Sequence, residues 1–385
     1  MSEYQYYEFH AVDRPLTQKQ MAELRSFSSR ARITPSSFVN VYNWGSFKGD
    51  RKKWMEKHFD AFLYLANWGS RWLEFRIPAR LLEADIASPY CAEDNLSCRT
   101  KGDHLILSFH SEEEDYEWAE GEGWLASLVP LRADLMHGDH RCLYLGWLLG
   151  AQGGELDDEA LEPPVPPGLG DLSAPLRSFA DFLRIDYDLI AAAAEQSDEG
   201  PASGLSKKDI TKWVARLPAK DKDTVLTRLL EVDDPHIVAE LRQRALREIH
   251  GARESGGGAR SSGRRSVVEL LARVEEIALE RRKKEAEQRV REKARSERER
   301  AAKWKKHLES LVGKEGGLWA EVDQLIATRQ PKRYDEAVSL LQDLHDLADM
   351  HGRNSEFLLR MNALYSEHTK KTTLVERFRK AKLAG

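Results

Sequence analysis

The segment Arg281–Lys306, RRKKEAEQRVREKARSERERAAKWKK, decides the architecture of this chain. It holds 13 Lys and Arg against 5 Glu, a local charge of about +8, and contains no Pro or Gly. Long straight side chains lose little rotamer freedom in a helix, and Glu interleaved with Arg and Lys at three and four residue spacings adds side-chain pairing along its surface. A helix is therefore expected. Most of it must stay in water, because unpaired Lys, Arg and Glu are almost never buried. Between 281 and 303 the apolar positions are Ala286, Val290, Ala294, Ala301 and Ala302. Without a seam of large apolar residues, no stable two-stranded coiled coil is expected there. Just upstream, Val267, Leu270, Leu271, Val274 and Ile277 fall at helical spacing. This amphipathic start is the candidate partner-binding face, docking on the rest of the chain or on a second copy of it.

On the N-terminal side, Gly251–Arg265 (GARESGGGARSSGRR) reads as a flexible linker by composition. On the C-terminal side, helices are expected over Leu318–Thr328, Tyr334–His351 and Glu356–Leu383. Tyr334, Ala337, Leu340, Leu341, Leu344 and Leu347 make one apolar face, and Gly352 ends that helix. A helix, tight turn and helix of this kind looks like one tetratricopeptide-type unit.

The opening of the chain has mixed character. Tyr4–Asp13, Ser37–Trp44, Phe62–Ala66, Trp72–Ile77 and His104–His110 read as strands, with Asn67-Trp68-Gly69-Ser70 as a turn. Leu105, Leu107 and Phe109 alternate against their neighbours as in a half-buried strand. Leu16–Arg30 reads as a helix capped by Thr17, and Pro78–Ala87 as a short helix with Pro first. Gly123–Gln152 reads as a helix pair broken near His137-Gly138-Asp139. The Pro-rich Gly153–Gly170 is an extended connection, ordered against the body or acting as a stiff linker. Amphipathic helices follow over Ser173–Leu183, Asp186–Ala194, Ser206–Arg216, Lys220–Leu230 and Pro235–Ile249.

The expected division is thus an α+β domain with a closing helix pair over 1–152, a Pro-rich connection and all-α module over 153–250, and a linker over 251–265. A long charged helix over 266–312 and a C-terminal helical hairpin over 313–385 complete it. The charged helix accounts for much of the 32% charged content, so the remainder keeps enough Leu, Val, Phe and Trp for a core. Three cysteines, an odd number, argue against a disulfide framework and for a reducing cytoplasm. No run approaches a membrane span, and the first residues lack the basic and apolar regions of a signal peptide.

Two regions carry a resemblance. YYEFHAVDRPL, ITPSSFVNVYNWGSFKGD and FDAFLYLANWG, near the N-terminus, resemble a group of uncharacterised bacterial proteins. KRYDEAVSLLQDLHDLA and LYSEHTKKTTLVERF resemble the C-terminal helical region of bacterial SWIM zinc-finger family proteins. The SWIM finger needs a C-x-C pair followed by a C-x-H pair. With only Cys91, Cys98 and Cys142, this chain lacks the first, so the resemblance implies lineage and a shared helical tail without the metal or its nucleic-acid role.

Motifs for chemistry are sparse. His137, His140 and Cys142 (HGDHRC) are the nearest approach to metal-ligand spacing, and a polar turn between helices explains them as well. No G-x-S-x-G, Walker A or G-x-G-x-x-G sequence occurs, so no catalytic residue and no cofactor is assigned. Glu112–Glu122 (EEEDYEWAEGE) has seven acids in eleven residues without EF-hand spacing and reads as a solvated loop. Nine aromatics crowd Tyr42–Trp72 and read mainly as core, with Trp44 and Trp54 the exceptions beside turn and basic residues. The leading expectation is a bacterial cytoplasmic interaction or scaffold protein with a helical docking arm. A nucleic-acid accessory factor is the alternative, contacting DNA or RNA through Arg281, Arg282, Lys283, Lys284, Arg289, Arg291 and Lys293 with Trp44 and Trp54. An enzyme with a site in the N-terminal domain is the third class, and it needs a deep polar pocket with converging His, Asp or Cys.

Overall fold

The computed structural model describes residues 3–45, 47–92, 94–112, 120–198, 205–230, 235–254 and 264–383, the side chains of 250–254 excepted. Its elements in chain order are β1 (Gln5–His10), α1 (Gln18–Phe27), β2 (Arg32–Ile33), β3 (Ser37–Tyr42), α2 (Arg51–Lys57), β4 (Ala61–Ala66), β5 (Arg71–Pro78), α3 (Ala84–Ala87), β6 (Leu96–Lys101) and β7 (His104–Ser111). Helices follow: α4 (Trp124–Leu128), α5 (Pro130–Met136), α6 (Arg141–Gly153), α7 (Ala174–Leu183), α8 (Tyr187–Ala194), α9 (Lys207–Arg216), α10 (Ala219–Leu230), α11 (Ile237–Glu254), α12 (Val267–Leu311), α13 (Glu315–Ala327), α14 (Pro331–Met350), α15 (Asn354–Glu367) and α16 (Thr372–Lys380).

The strands form one seven-stranded antiparallel sheet in the order β2-β3-β1-β4-β5-β7-β6. Period-2 alternation sorts its side chains onto two faces. Leu63, Leu65, Leu73, Phe75, Ile77, Leu105, Leu107 and Phe109 face a core completed by α4 to α8. Phe9, Phe38 and Phe62 face the other way and pack with Leu24 of α1 and Trp54 and Met55 of α2. On that second face the β5 residues between the apolar ones are Trp72, Glu74 and Arg76, so the same alternation that buries β5 also aims charge at α2.

Local signals place these elements. Thr17 and Gln20 form a reciprocal capping box at α1. Asp50 accepts from the Lys53 N–H to start α2, and Gly138 takes φ +86° to break the chain between α5 and α6. Three expectations need correction. Pro78 ends β5 instead of opening a helix, because its ring sits opposite His104 at the strand end where no N–H is required, and α3 begins only at Ala84. Glu356–Leu383 is two helices, not one, because α16 turns back to bury Leu374, Val375 and Phe378. Trp54 is not a surface aromatic. It is buried, 4% exposed, and touches Phe9, Phe27, Phe38 and Phe47 edge-on or tilted.

The chain divides into two compact units, Met1–Arg281 and Arg282–Gly385. The boundaries expected at 152 and 250 do not separate domains. The sheet, α4 to α8, Leu169 of the Pro-rich connection, Leu172 just after it and the start of α12 share one hydrophobic core. The connection is ordered against the body: Tyr90 donates to the Pro164 carbonyl at 2.8 Å, and Leu161 pairs with Ser266 as an antiparallel bridge. Both ends of the linker expected over 251–265 belong to ordered elements. α11 runs to Glu254, Arg264 and Arg265 belong to the body, and 255–263 lie outside the described residues.

Arg265 is held there by chemistry. Its guanidinium donates to both oxygens of the buried Glu162 carboxylate at 3.0 Å and to the Ala192 carbonyl at 2.9 Å. Tyr144 of α6 donates its hydroxyl to the same carboxylate. Burial first, then the Glu162 charge, raise the Tyr144 pKa and keep its proton in place. A buried charge pair of this kind is stable only when fully hydrogen-bonded, and this one is.

In the second unit, α13 to α16 have their own core of Trp319, Val322, Ile326, Leu341, Leu344, Phe357, Met361 and Phe378. α14 and α15 are the expected helical hairpin, with Gly352 at φ +67° in the turn.

Candidate functional site

The residues singled out from sequence do not converge. Val267 and Leu270 are buried in the body's core, and Leu271, Val274 and Ile277 pack on it. The face read as partner-binding therefore docks on its own chain, and a partner must use other residues. Arg281 is bound to Asp188 of α8 at 2.9 to 3.1 Å. Arg282, Lys283, Lys284, Arg289, Arg291 and Lys293 are exposed. From Arg282 to His307 every residue except Glu285 is exposed. Trp44 is 67% exposed, and the Arg30 guanidinium lies 5.0 Å from its ring centre. Trp54, buried beneath α1, takes no part in any surface.

His137 caps the end of α5 and His140 the start of α6, while Cys142 is inside the core. Burial lowers the pKa of both imidazoles and raises that of the thiol, so the neutral forms are favoured. Among the described residues no group of three or more His, Cys, Asp or Glu side chains is arranged to hold a metal ion. Of the acidic stretch Glu112–Glu122, residues 113–119 lie outside the described residues.

The structure instead presents a cleft of about 740 Å³ in the first unit that sequence reasoning missed. It gathers the ends of several elements: Asp13 to Leu16 after β1, Thr17 and Gln20 at α1, Lys57 and His58 at the end of α2, Asp60 before β4, Arg76 and Pro78 of β5, and Asp103 and His104 at β7. Arg80, Arg228, Pro235 and His236 close it from the other side.

Its floor is a saturated ion network. Asp13 receives two hydrogen bonds from the Arg132 guanidinium, at 2.8 and 2.6 Å, and one contact from His236 Nε2 at 2.9 Å. Asp60 accepts from Arg76 at 3.1 and 2.6 Å on one oxygen and from the Val12 and Asp13 N–H groups on the other. Arg132 Nε donates to the Arg76 carbonyl at 2.7 Å. Burial pushes the Asp13 carboxyl up, but the hydrogen bonds and charges of His236 and Arg132 outweigh it and hold it well below the usual carboxylate range. The network fastens β1, β5, α5 and the start of α11 together.

Asp13 and His236 form a His–Asp pair, yet the lining hydroxyl, Thr17, donates to Gln20 at 2.9 Å and is not directed at that pair. Among the described lining residues, none of the hydroxyls forms a nucleophile–base–orienter arrangement with it. A second buried charge lies under α2: Glu74, with Arg51 and the Ser108 hydroxyl on one oxygen and the Arg51 guanidinium 3.4 Å above the Trp72 ring. Burial raises the Glu74 pKa despite Arg51.

No protein-family model, curated protein or solved structure matches the chain, so the two resemblances rest on their quoted residues alone. No helix among the described residues is long and apolar enough to cross a membrane.

Proposed function

We propose that this is a non-catalytic interaction protein, whose first unit is one binding body and whose second unit is a helical docking module, with α12 as the arm that belongs to both. One observation carries this reading: from Arg282 to His307 α12 is solvated almost throughout, yet it joins two units that each have a separate hydrophobic core. A helix polar on all sides and stabilised by side-chain pairs is a connector by its physics. Arg295–Glu299 at 2.9 Å is such a pair.

The test is affinity capture from the host with two baits, the full chain and a chain ending at Arg281. The shorter bait keeps residues 264–277, because Val267, Leu270, Leu271, Val274 and Ile277 complete the body's core. Partners held by the full chain and lost from the shorter one belong to the docking module. Identical captures would refute the arm.

A second reading has its own support. The exposed Arg282, Lys283, Lys284, Arg289, Arg291 and Lys293 could neutralise phosphates of DNA or RNA. Retention of a duplex or single strand at low salt, collapsing at moderate salt, would favour it; no retention at low salt would exclude it.

A further inference from the structure

We propose that Cys91 and Cys98 form a redox-active thiol pair, which closes to an intramolecular disulfide when it meets a low-molecular-weight disulfide such as glutathione disulfide. Chain geometry is the first argument. Ala92 and Leu96 exchange both backbone hydrogen bonds, at 3.0 and 2.9 Å, so the chain doubles back between the two cysteines. Cys98 lies on β6 opposite Leu107, and strand alternation turns it to the same face of the sheet as Leu96. α3 packs against β6 on that face, and Cys91 directly follows the 3-10 turn Ser88–Tyr90 that extends α3. The Cys91 thiol donates to the Ala87 carbonyl at 3.6 Å, which holds it on the same side. Both cysteines are half-buried and border the core of the first unit.

Proximity and access are the second argument. Burial first, and then the neighbouring Cys98 thiol, push the Cys91 thiol up to about 12. The Cys98 thiol and the Cys98 N–H both act on that sulfur, which sets the two side chains against each other. Cys142, in contrast, is 2% exposed and sealed inside the core. One pair of the three cysteines is thus adjacent and within reach of a small molecule, and the third is a built-in unreactive reference. Where thiols are kept reduced, the disulfides that do form are mostly transient, catalytic or redox-sensing.

The exchange balances with the external disulfide as its oxidant. The Cys98 thiolate attacks one sulfur of that disulfide and expels one thiolate, which leaves a mixed disulfide on Cys98. Cys91 then gives up its proton and attacks the Cys98 sulfur. The Cys91–Cys98 bond forms and the second thiolate leaves. The pair loses two electrons, the external disulfide gains them, and the two cysteine protons end on the expelled thiols. The order follows from the surroundings. Cys91 keeps its proton near neutral pH and shares it with the Ala87 carbonyl, so it is the poorer first attacker. Once Cys98 carries the mixed disulfide, adjacency supplies the high effective concentration that a buried thiol needs.

The experiment is incubation of the reduced full chain with glutathione disulfide near neutral pH, followed by denaturation, maleimide alkylation and mass spectrometry. The reduced chain takes three maleimides, one per cysteine. The treated chain is expected to take one, at Cys142, and to yield a cross-linked peptide joining Cys91 to Cys98. Dithiothreitol should restore all three. Cys91→Ser should stop at a glutathione adduct on Cys98. In Cys98→Ser, Cys91 should react about tenfold or more slowly than Cys98 does in Cys91→Ser, since so high a pKa leaves little thiolate. The result on the parent chain stands without either variant, so a variant that failed to fold would leave the test intact. The proposal is overturned if the parent keeps three reactive cysteines, if glutathione stays on either cysteine without closure, or if disulfide-linked dimers form in place of the internal bond. Equal rates in the two variants would overturn the order of attack.

Discussion

The two parts of α12 have the same backbone and opposite surroundings. Over Val267–Ile277 the helix sinks Val267 and Leu270 into the body and leans Leu271, Val274 and Ile277 on it. Past Arg281 it is solvated, and its first buried side chain is Leu308. Helical propensity does not separate them, since Leu, Arg, Lys and Glu rank close together. The separation comes from five apolar residues on one stripe, each able to contribute about 1.5–3 kcal/mol when fully buried, against a stretch that up to Lys303 offers only Ala and one Val. Arg281 sits at the change, where its bond to Asp188 ends the docked part.

Substitutions should reproduce that asymmetry. The largest effect is expected at Glu162→Ala, which strands the Arg265 guanidinium and the Tyr144 hydroxyl and should destabilise the first unit by about 3–5 kcal/mol. Urea unfolding followed by tryptophan fluorescence reads it, and a loss below 1 kcal/mol would show that the Arg265 anchor does not hold the helix down. Leu270→Ala comes next, at about 2–5 kcal/mol for a fully buried leucine, measured the same way.

Acid provides a smaller and graded perturbation. Burial holds the imidazoles of His58, His104, His110, His137 and His140 below the ordinary value of 6.5. Between that value and the lowered native ones the unfolded chain takes up protons that the native body refuses, so stability falls as pH drops through the window. Asp13, depressed in the native state, adds stability above about pH 3.9 that is lost as the pH falls further. Glu74 has the opposite sign: its raised native pKa favours folding while it is protonated and the benefit is lost as pH rises through that value. The melting temperature of the first unit should fall by a few degrees from pH 7.5 to 5.5, and again below pH 4; a flat profile would show that the five imidazoles are as accessible as in the unfolded chain. The smallest effect is expected at Arg289→Ala or Lys293→Ala, within about 0.5 kcal/mol, because neither side chain packs against anything. A larger loss in the intact chain would mean that the solvated part has a partner.

Much of the fold was legible where one short-range signal decides the outcome. Thr17 with Gln20, the turn at Asn67–Ser70, the alternation of Leu105, Leu107 and Phe109, and the break at Gly138 each act within a few residues. Elements that depend on a distant partner were not legible. β6 is an edge strand whose Arg99 and Lys101 meet Glu56 of α2, and its only apolar cue is Leu96 alternating with Cys98. α2 was hidden in a basic run, and its Trp54 is fixed by phenylalanines from β1, β3, α1 and the loops before β4. The cleft was less legible still. Asp13 and Arg132 are 119 residues apart, and Asp13 and His236 are 223 apart, so no spacing announces them. The one local hint was Trp72, Glu74 and Arg76 alternating with Leu73, Phe75 and Ile77, which marks charge on a buried strand face.

The bridge of Leu161 to Ser266 also has a kinetic side. Glu162 donates its N–H to the Arg265 carbonyl at 2.8 Å, and Val267 returns one to Ala160 at 3.0 Å, so a connection leaving α6 is sealed by residues about a hundred positions later. Long-range closure of this kind is slow, and a chain emerging from the ribosome folds from its N-terminus first. A nascent body stopped short of Arg265 would present the groove for Val267–Ile277 open to solvent, with Glu162 lacking its guanidinium. Translation of the first turns of α12 is thus the step that completes the earlier half of the protein.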